Sequence, residues 1–99
     1  MVIAEVSIAP LGTGSTSISG YVADCHKILQ QQQEVQYQLT PMGTILEGDL
    51  DAILGLIRKM HEIPFAKGAG RVSTAIKIDD RRDKNASMEK KLASVRNKI

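Results

Sequence analysis

Apolar positions along this chain switch between a spacing of two and a spacing of three to four, and each switch marks a new element. Val2 to Pro10 reads as a strand, with Val2, Val6 and Ile8 on one side and Glu5 and Ser7 on the other. From Ile18 to Leu29 the apolar set Ile18, Tyr21, Val22, Cys25, Ile28 and Leu29 forms one helical stripe, and Ser17 or Thr16 supplies the cap. Gln30 to Gln33 reads as the wet end of that helix. Alternation returns at Val35-Gln36-Tyr37-Gln38-Leu39-Thr40, breaks at Pro41-Met42-Gly43 and resumes at Thr44-Ile45-Leu46-Glu47-Gly48. Two strands this close must pair antiparallel, because a parallel crossover needs a dozen or more residues. Asp49 caps a second helix with the stripe Leu50, Ile53, Leu54, Ile57, Met60 and His61. Pro64 is expected to kink or end it before the stop at Lys67-Gly68-Ala69-Gly70. Arg71 to Asp79 is a last strand with Val72, Thr74, Ile76 and Ile78 inward, and Met88, Leu92, Val95 and Ile99 mark a short third helix.

The order β-α-β-β-α-β followed by a helix is a split βαβ arrangement of class α+β. Its two long helices cover one face of a four-stranded antiparallel sheet. The other face is mixed: Glu5, Ser7, Gln36, Gln38, Thr40, Ser73 and Lys77, with Ile3, Ala9, Ile45 and Ala75 among them. The first and last strands are neighbours in this topology, so Glu5 can pair across strands with Lys77 or bond Ser73. Ninety-nine residues, 42% hydrophobic and 24% charged, make one ordinary folded domain over 1–99.

Charge narrows the partners. Residues 1–76 hold five Lys/Arg against seven Asp/Glu, and residues 77–99 hold eight against four, giving the overall +2. The basic tail alternates in sign, and one Phe, two Tyr and no Trp offer little to stack on bases, which argues against nucleic acid. No apolar run reaches the ~20 residues of a membrane span, and no export signal is present, so no membrane role and a cytoplasmic location are expected. The single Cys25 fits a reducing compartment.

Candidate chemistry is sparse. Pro10-Leu11-Gly12-Thr13-Gly14-Ser15-Thr16-Ser17-Ile18-Ser19 crowds five hydroxyl side chains and two glycines at a helix entrance, where free N–H groups hold anions or polar ligand atoms. The stretch lacks the Lys and spacing of a P-loop. His26 and His61 lie on separate helices with no metal-ligand spacing, so His61 reads as a hydrogen-bonded, half-buried histidine and Cys25 as a small core residue. With no nucleophile–base pair, metal set or cofactor motif, the expectation is a protein that is not an enzyme and needs no cofactor.

The loop at 10–19, Met42-Gly43-Thr44-Ile45-Leu46-Glu47-Gly48, Met60-His61-Glu62, Arg71-Val72-Ser73-Thr74 and Lys77-Ile78-Asp79-Asp80-Arg81-Arg82-Asp83-Lys84 follow one another in order. Together they resemble the thiamine-binding-protein family of small ferredoxin-like domains. The resemblance implies a cytoplasmic, non-catalytic domain that binds thiamine or its hydroxymethylpyrimidine part and assembles as a homotetramer, a dimer of dimers. On that reading Glu5, Ser7, Thr44, Glu47 and Ser73 on the strands and Thr13, Ser15 and Ser17 on the loop are the polar contacts. Tyr37 offers a stacking surface. A carboxylate would take the amine edge of the pyrimidine, and hydroxyls would meet ring nitrogens or a terminal hydroxyl. The competing reading is a homo-oligomeric structural or regulatory interaction domain with no small-molecule ligand.

Overall fold

The computed structural model describes residues 1–12, 19–83 and 88–98. The elements run β1 (Val2–Leu11), α1 (Ser19–Gln30), β2 (Gln36–Thr40), β3 (Gly43–Gly48), α2 (Leu50–Ala66), β4 (Arg71–Asp80) and α3 (Met88–Lys98). The strands form one antiparallel sheet in the order β2-β3-β1-β4. This is the ferredoxin-like α+β fold with an added C-terminal helix, as the alternation and strand order require. The caps expected at Thr16 or Ser17 lie outside the described residues.

Period-two alternation places Val2, Ala4 and Val6 on the helix side, where they meet Leu46, Leu29, Val35 and α2's Ile53, Leu56, Ile57 and Met60 in one core. Burying side chains of this size stabilises by roughly 1.5–3 kcal/mol each. The α2 stripe differs from the expected one at a single step. Leu56 is buried and Leu54 is 40% exposed, because the inward line runs 53, 56, 57, 60 and 64.

Pro64 neither ends nor interrupts α2. The helix continues to Ala66, and Asp49 caps its start by accepting from the Ala52 N–H. At the other end Gly68, with φ +101°, lets its own N–H reach the Phe65 carbonyl and the Ala69 N–H reach that of Pro64. These are the two bonds of a Schellman stop, and they require the left-handed backbone glycine tolerates. Proline survives in the last turn because the stop is set by Gly68.

The Gln30–Gln33 run is more than a wet helix end. The half-buried Gln32 side chain donates to the carbonyls of Leu29 and Val35 and accepts from the Val35 N–H, holding the turn into β2. Pro41 and Met42 form a two-residue hairpin loop. Thr40 Oγ1 accepts from the Met42 N–H and donates to the Gly43 carbonyl.

The helices leave part of their own side of the sheet open. Ile76 and Ile78 on β4 face inward by register yet are 45% and 44% exposed. Every described side chain of α3 is exposed, Leu92 and Val95 included. The radius of gyration is 14.7 Å, against about 12.6 Å for a compact chain of this length. None of the described helices is long and apolar enough to cross a membrane.

Candidate ligand-binding site

β1 is longer than its neighbour β3. It pairs with β3 from Val2 to Val6, and from Ser7 to Leu11 only with β4. Beside that overhang the Pro41–Met42 turn closes the β2–β3 hairpin, and α1 crosses above. The space between them is a cavity of about 300 Å³, at the lower end of the range for small-molecule sites. Val6, Ile8, Leu39 and Thr44 line it from the strands, Tyr21, Val22, Cys25, His26 and Leu29 from α1, and Met60 from α2.

The hairpin holds its shape through Gly43. A side chain there would bring its Cβ to 2.7 Å from the Val6 carbonyl oxygen, so only glycine lets β3 approach β1 this closely at the cavity wall. Thr40 spends its hydroxyl within the turn. Cys25 donates weakly to the Met60 carbonyl, 3.8 Å away. Burial pushes its thiol pKa up, with a smaller push from Asp24. The thiol therefore stays protonated at neutral pH.

His26 is the unusual group. Its ring meets the Tyr37 ring edge-on, with centroids 5.6 Å apart and planes at 83°. Its Nδ1 is buried and has no hydrogen-bond partner. A buried polar atom left unpaired costs about 1–3 kcal/mol, and few native groups carry that cost without a reason. Among the described lining residues there is no Asp, Glu, Lys or Arg. The cavity is thus apolar with a few hydroxyls, one thiol and one imidazole, and it suits an uncharged aromatic ring with a polar edge.

The expected site residues do not gather in one place. Thr44 lines the cavity from the helix side of the sheet, Ser7 borders it although its alternation gives its side chain the parity of Glu5, and Tyr37 stands behind His26 on the same side as Thr44. Glu5, Glu47 and Ser73 belong by register to the opposite face. Glu5 sits across from Lys77, while Ser73 sits across from Ala9, so the strand pairing favours the Lys77 partner over Ser73. Glu5 and Ser73 are exposed there. Glu47, opposite Ile3 and Gln36, is only 4% exposed. Thr13, Ser15 and Ser17 lie outside the described residues.

His61 behaves as its position on α2 suggested. It is half-buried, its Nδ1 pairs with Thr74 Oγ1 at 2.7 Å, and its ring packs on Phe65. Cys25 packs half-buried against the core, as expected of a small core residue, and also lines the cavity. His26 has no metal-ligand spacing to its sequence neighbours. Its spacing of four from Val22 and three from Leu29 places it on the inner border of the α1 stripe, a signal the helix periodicity already contained.

A family model described as thiamine-binding protein matches residues 4–96. The UPF0045 protein YqgV of Bacillus subtilis is 51% identical over 98 residues, covering 96% of this chain and 94% of its own. The UPF0045 protein of Methanothermobacter thermautotrophicus is 43% identical over 100 residues, and each chain is covered in full. Among solved structures, the hypothetical protein MJ1052 of Methanocaldococcus jannaschii superposes with a TM-score of 0.84 at 39% identity, covering 95% of this chain and 94% of that one. A match running from β1 into α3, with relatives above 40% identity along nearly their whole length, means that this chain belongs to the thiamine-binding protein family.

Proposed function

We propose that this protein, as one domain, reversibly binds thiamine or its hydroxymethylpyrimidine part in the cavity under α1, with no chemistry performed on the ligand. The observation that carries the reading is the cavity itself: a mainly apolar space of about 300 Å³ with Tyr21, His26 and Thr44 among its lining residues, in a chain of the thiamine-binding protein family. Thr44 supplies a hydroxyl at the strand side, and Tyr37 packs edge-on against His26. No pair of groups lining it forms an activated nucleophile, since the thiol beside His26 has its pKa raised rather than lowered.

The same reading includes assembly as a cytoplasmic homotetramer. β4 ends the sheet with ten residues and leaves Ile76 and Ile78 uncovered, an edge of the kind that proteins cover or pair. Antiparallel pairing with β4 of a second copy about Ala75 would set Arg71 opposite Asp79, Val72 opposite Ile78 and Thr74 opposite Ile76. Opposite charges and apolar pairs then meet on their proper faces. Two such dimers packing outer sheet faces would enclose Glu5, Glu47 and Ser73. The exposed apolar groups of β4 and α3 also favour the reading as an interaction domain without a ligand, so the experiment must separate the two.

Calorimetry and thermal melts with thiamine, its phosphates and hydroxymethylpyrimidine make that separation. A ligand at a hundredfold excess over its Kd adds roughly 2.7 kcal/mol of stability. Val22→Trp, at the exposed rim of the cavity, is expected to abolish that gain, and Glu5→Gln, on the opposite face of the sheet, to leave it unchanged. Wild type that binds none of them at millimolar concentration leaves the interaction domain as the function.

A further inference from the structure

We infer that α3 of one copy docks on the outer sheet face of a second copy, with its apolar stripe on Ile3 and Ile45 and its basic last turn beside Glu5. This contact rests on the reading that copies assemble, and it is independent of the ligand site. In the β1–β3 register Ile3 stands opposite Glu47 and Glu5 opposite Ile45, so an apolar diagonal of about 7–8 Å crosses an acidic one. Both isoleucines are half-buried and Glu5 is exposed, while Glu47 adds a second carboxylate to the same square. Neither carboxylate forms an ion pair with a described residue. The sequence of α3 has the matching pattern. It carries four Lys/Arg against one Glu. Leu92 and Val95 are neighbours on its surface, about 5–6 Å apart, and the helical period sets Arg96 on one flank of that pair and Lys98 on the other. Base, apolar and base across the helix then meet acid, apolar and acid across the sheet. The chain does not make this contact with itself. Lys91 holds α3 to Asp79 at the rim of the same face, yet Leu92 is 47% and Val95 57% exposed. Arg96 and Lys98 pair with no described residue. A two-fold exchange of helices covers both exposed surfaces at once.

The test joins lysines to carboxylates with a zero-length carbodiimide in the full chain, after isotope-labelled and unlabelled chains have been refolded together. Links between Lys98 and Glu5 are expected in peptides that combine the two isotopes, which only a contact between copies can give. Links confined to one isotope would mean that α3 closes on its own sheet, and absence of any link from α3 to Glu5 would place the helix elsewhere. Either result overturns the docking. Leu92→Lys gives a second readout, because Leu92 is outside the core and the variant should keep the circular dichroism of wild type. In sedimentation it is expected as a smaller species than wild type. A Leu92→Lys protein that assembles like wild type overturns the docking, while the β4 pairing, probed separately by Arg71→Asp, stands. Wild type that sediments as a monomer at tens of micromolar overturns both.

Discussion

The thiol of Cys25 points at the main-chain carbonyl of Met60, 3.8 Å away, and that carbonyl lacks its helical N–H partner because residue 64 is proline. A proline inside a helix frees the carbonyl four residues earlier, and here α1 supplies a weak donor to it. The contact ties α1 to α2 at the inner end of the cavity. Cys25→Ala is therefore expected to cost about 1 kcal/mol in urea denaturation. In a Pro64→Ala background the new N–H competes for the same carbonyl, so the cost should shrink. Equal costs in both backgrounds would mean that packing alone accounts for Cys25.

A second tie between the helices is electrostatic and has a defined pH window. Asp24 pairs with Lys67, the residue that ends α2, and with Lys27 one turn along α1. The hydrogen bond from Lys67 holds the Asp24 carboxyl below its ordinary value against a partial desolvation that raises it. The charges of Lys67 and Lys27 add to the lowering. The same hydrogen bond raises Lys67. A lowered carboxyl pKa gives stability that is complete above the ordinary Asp value near 3.9 and is lost as pH falls through the lowered one. A raised lysine pKa gives stability complete below about 10.4 and lost as pH rises through the raised one. Melts of Lys67→Met across pH should show a flatter acid limb and a flatter alkaline limb than wild type, with the loss reduced by salt. Parallel pH curves would remove this pair from the account.

Gly43 sets how closely β3 approaches β1. A Cβ at 2.7 Å from the Val6 carbonyl oxygen is closer than contact distance, and the obstacle is backbone. Gly43→Ala must therefore shift the hairpin, at a cost of about 1–3 kcal/mol by the usual scale of overpacking. Because Gly43 and Val6 both line the cavity, ligand-induced stabilisation should fall in the same variant. Gly55, where a Cβ would meet nothing, is the control: Gly55→Ala in the middle of α2 should stabilise by up to about 1 kcal/mol.

The fold was legible because its signals are periodic and local. Alternation at Val2–Ile8 and Val35–Leu39, together with the short break at Pro41–Met42, leaves little choice of topology. Pro64 misled because a local rule gave way to a neighbouring one: Gly68 sets the helix end and Cys25 approaches the carbonyl that the proline exposes. The candidate site was less legible for a geometric reason. Sheet parity sorts residues into two faces, but it does not say that β1 outruns β3 and leaves a hollow under α1. That hollow puts Thr44 and His26 around one space, while parity alone puts Glu5 and Ser73 on the other side. Glu47 shows the same limit from the outer face, where alternation gives its side and only the folded chain gives its burial.

The β4 edge gives the sharpest test of assembly, because the proposed pairing fixes which charges meet. With Ala75 on the two-fold axis, Arg71 of each copy faces Asp79 of the other, and the pair occurs twice. Arg71→Asp then places like charges opposite each other at both ends of the paired strands, a destabilising arrangement. Asp79→Arg does the same with positive charge, and it also removes the contact Asp79 makes with Lys91 of its own chain. Neither residue belongs to the core, so each variant should fold with a circular dichroism spectrum like that of wild type. In sedimentation at tens of micromolar, wild type is expected as a tetramer, and each single variant as species smaller than tetramer. The combination of Arg71→Asp with Asp79→Arg restores opposite charges across the axis and should recover the larger assembly. Rescue by the double variant distinguishes this register from any other use of the edge, since a general loss of solubility or stability would be compounded by the second substitution. Single variants that assemble like wild type would place the interface elsewhere, with the outer sheet face around Glu47 and Ile45 the next surface to probe.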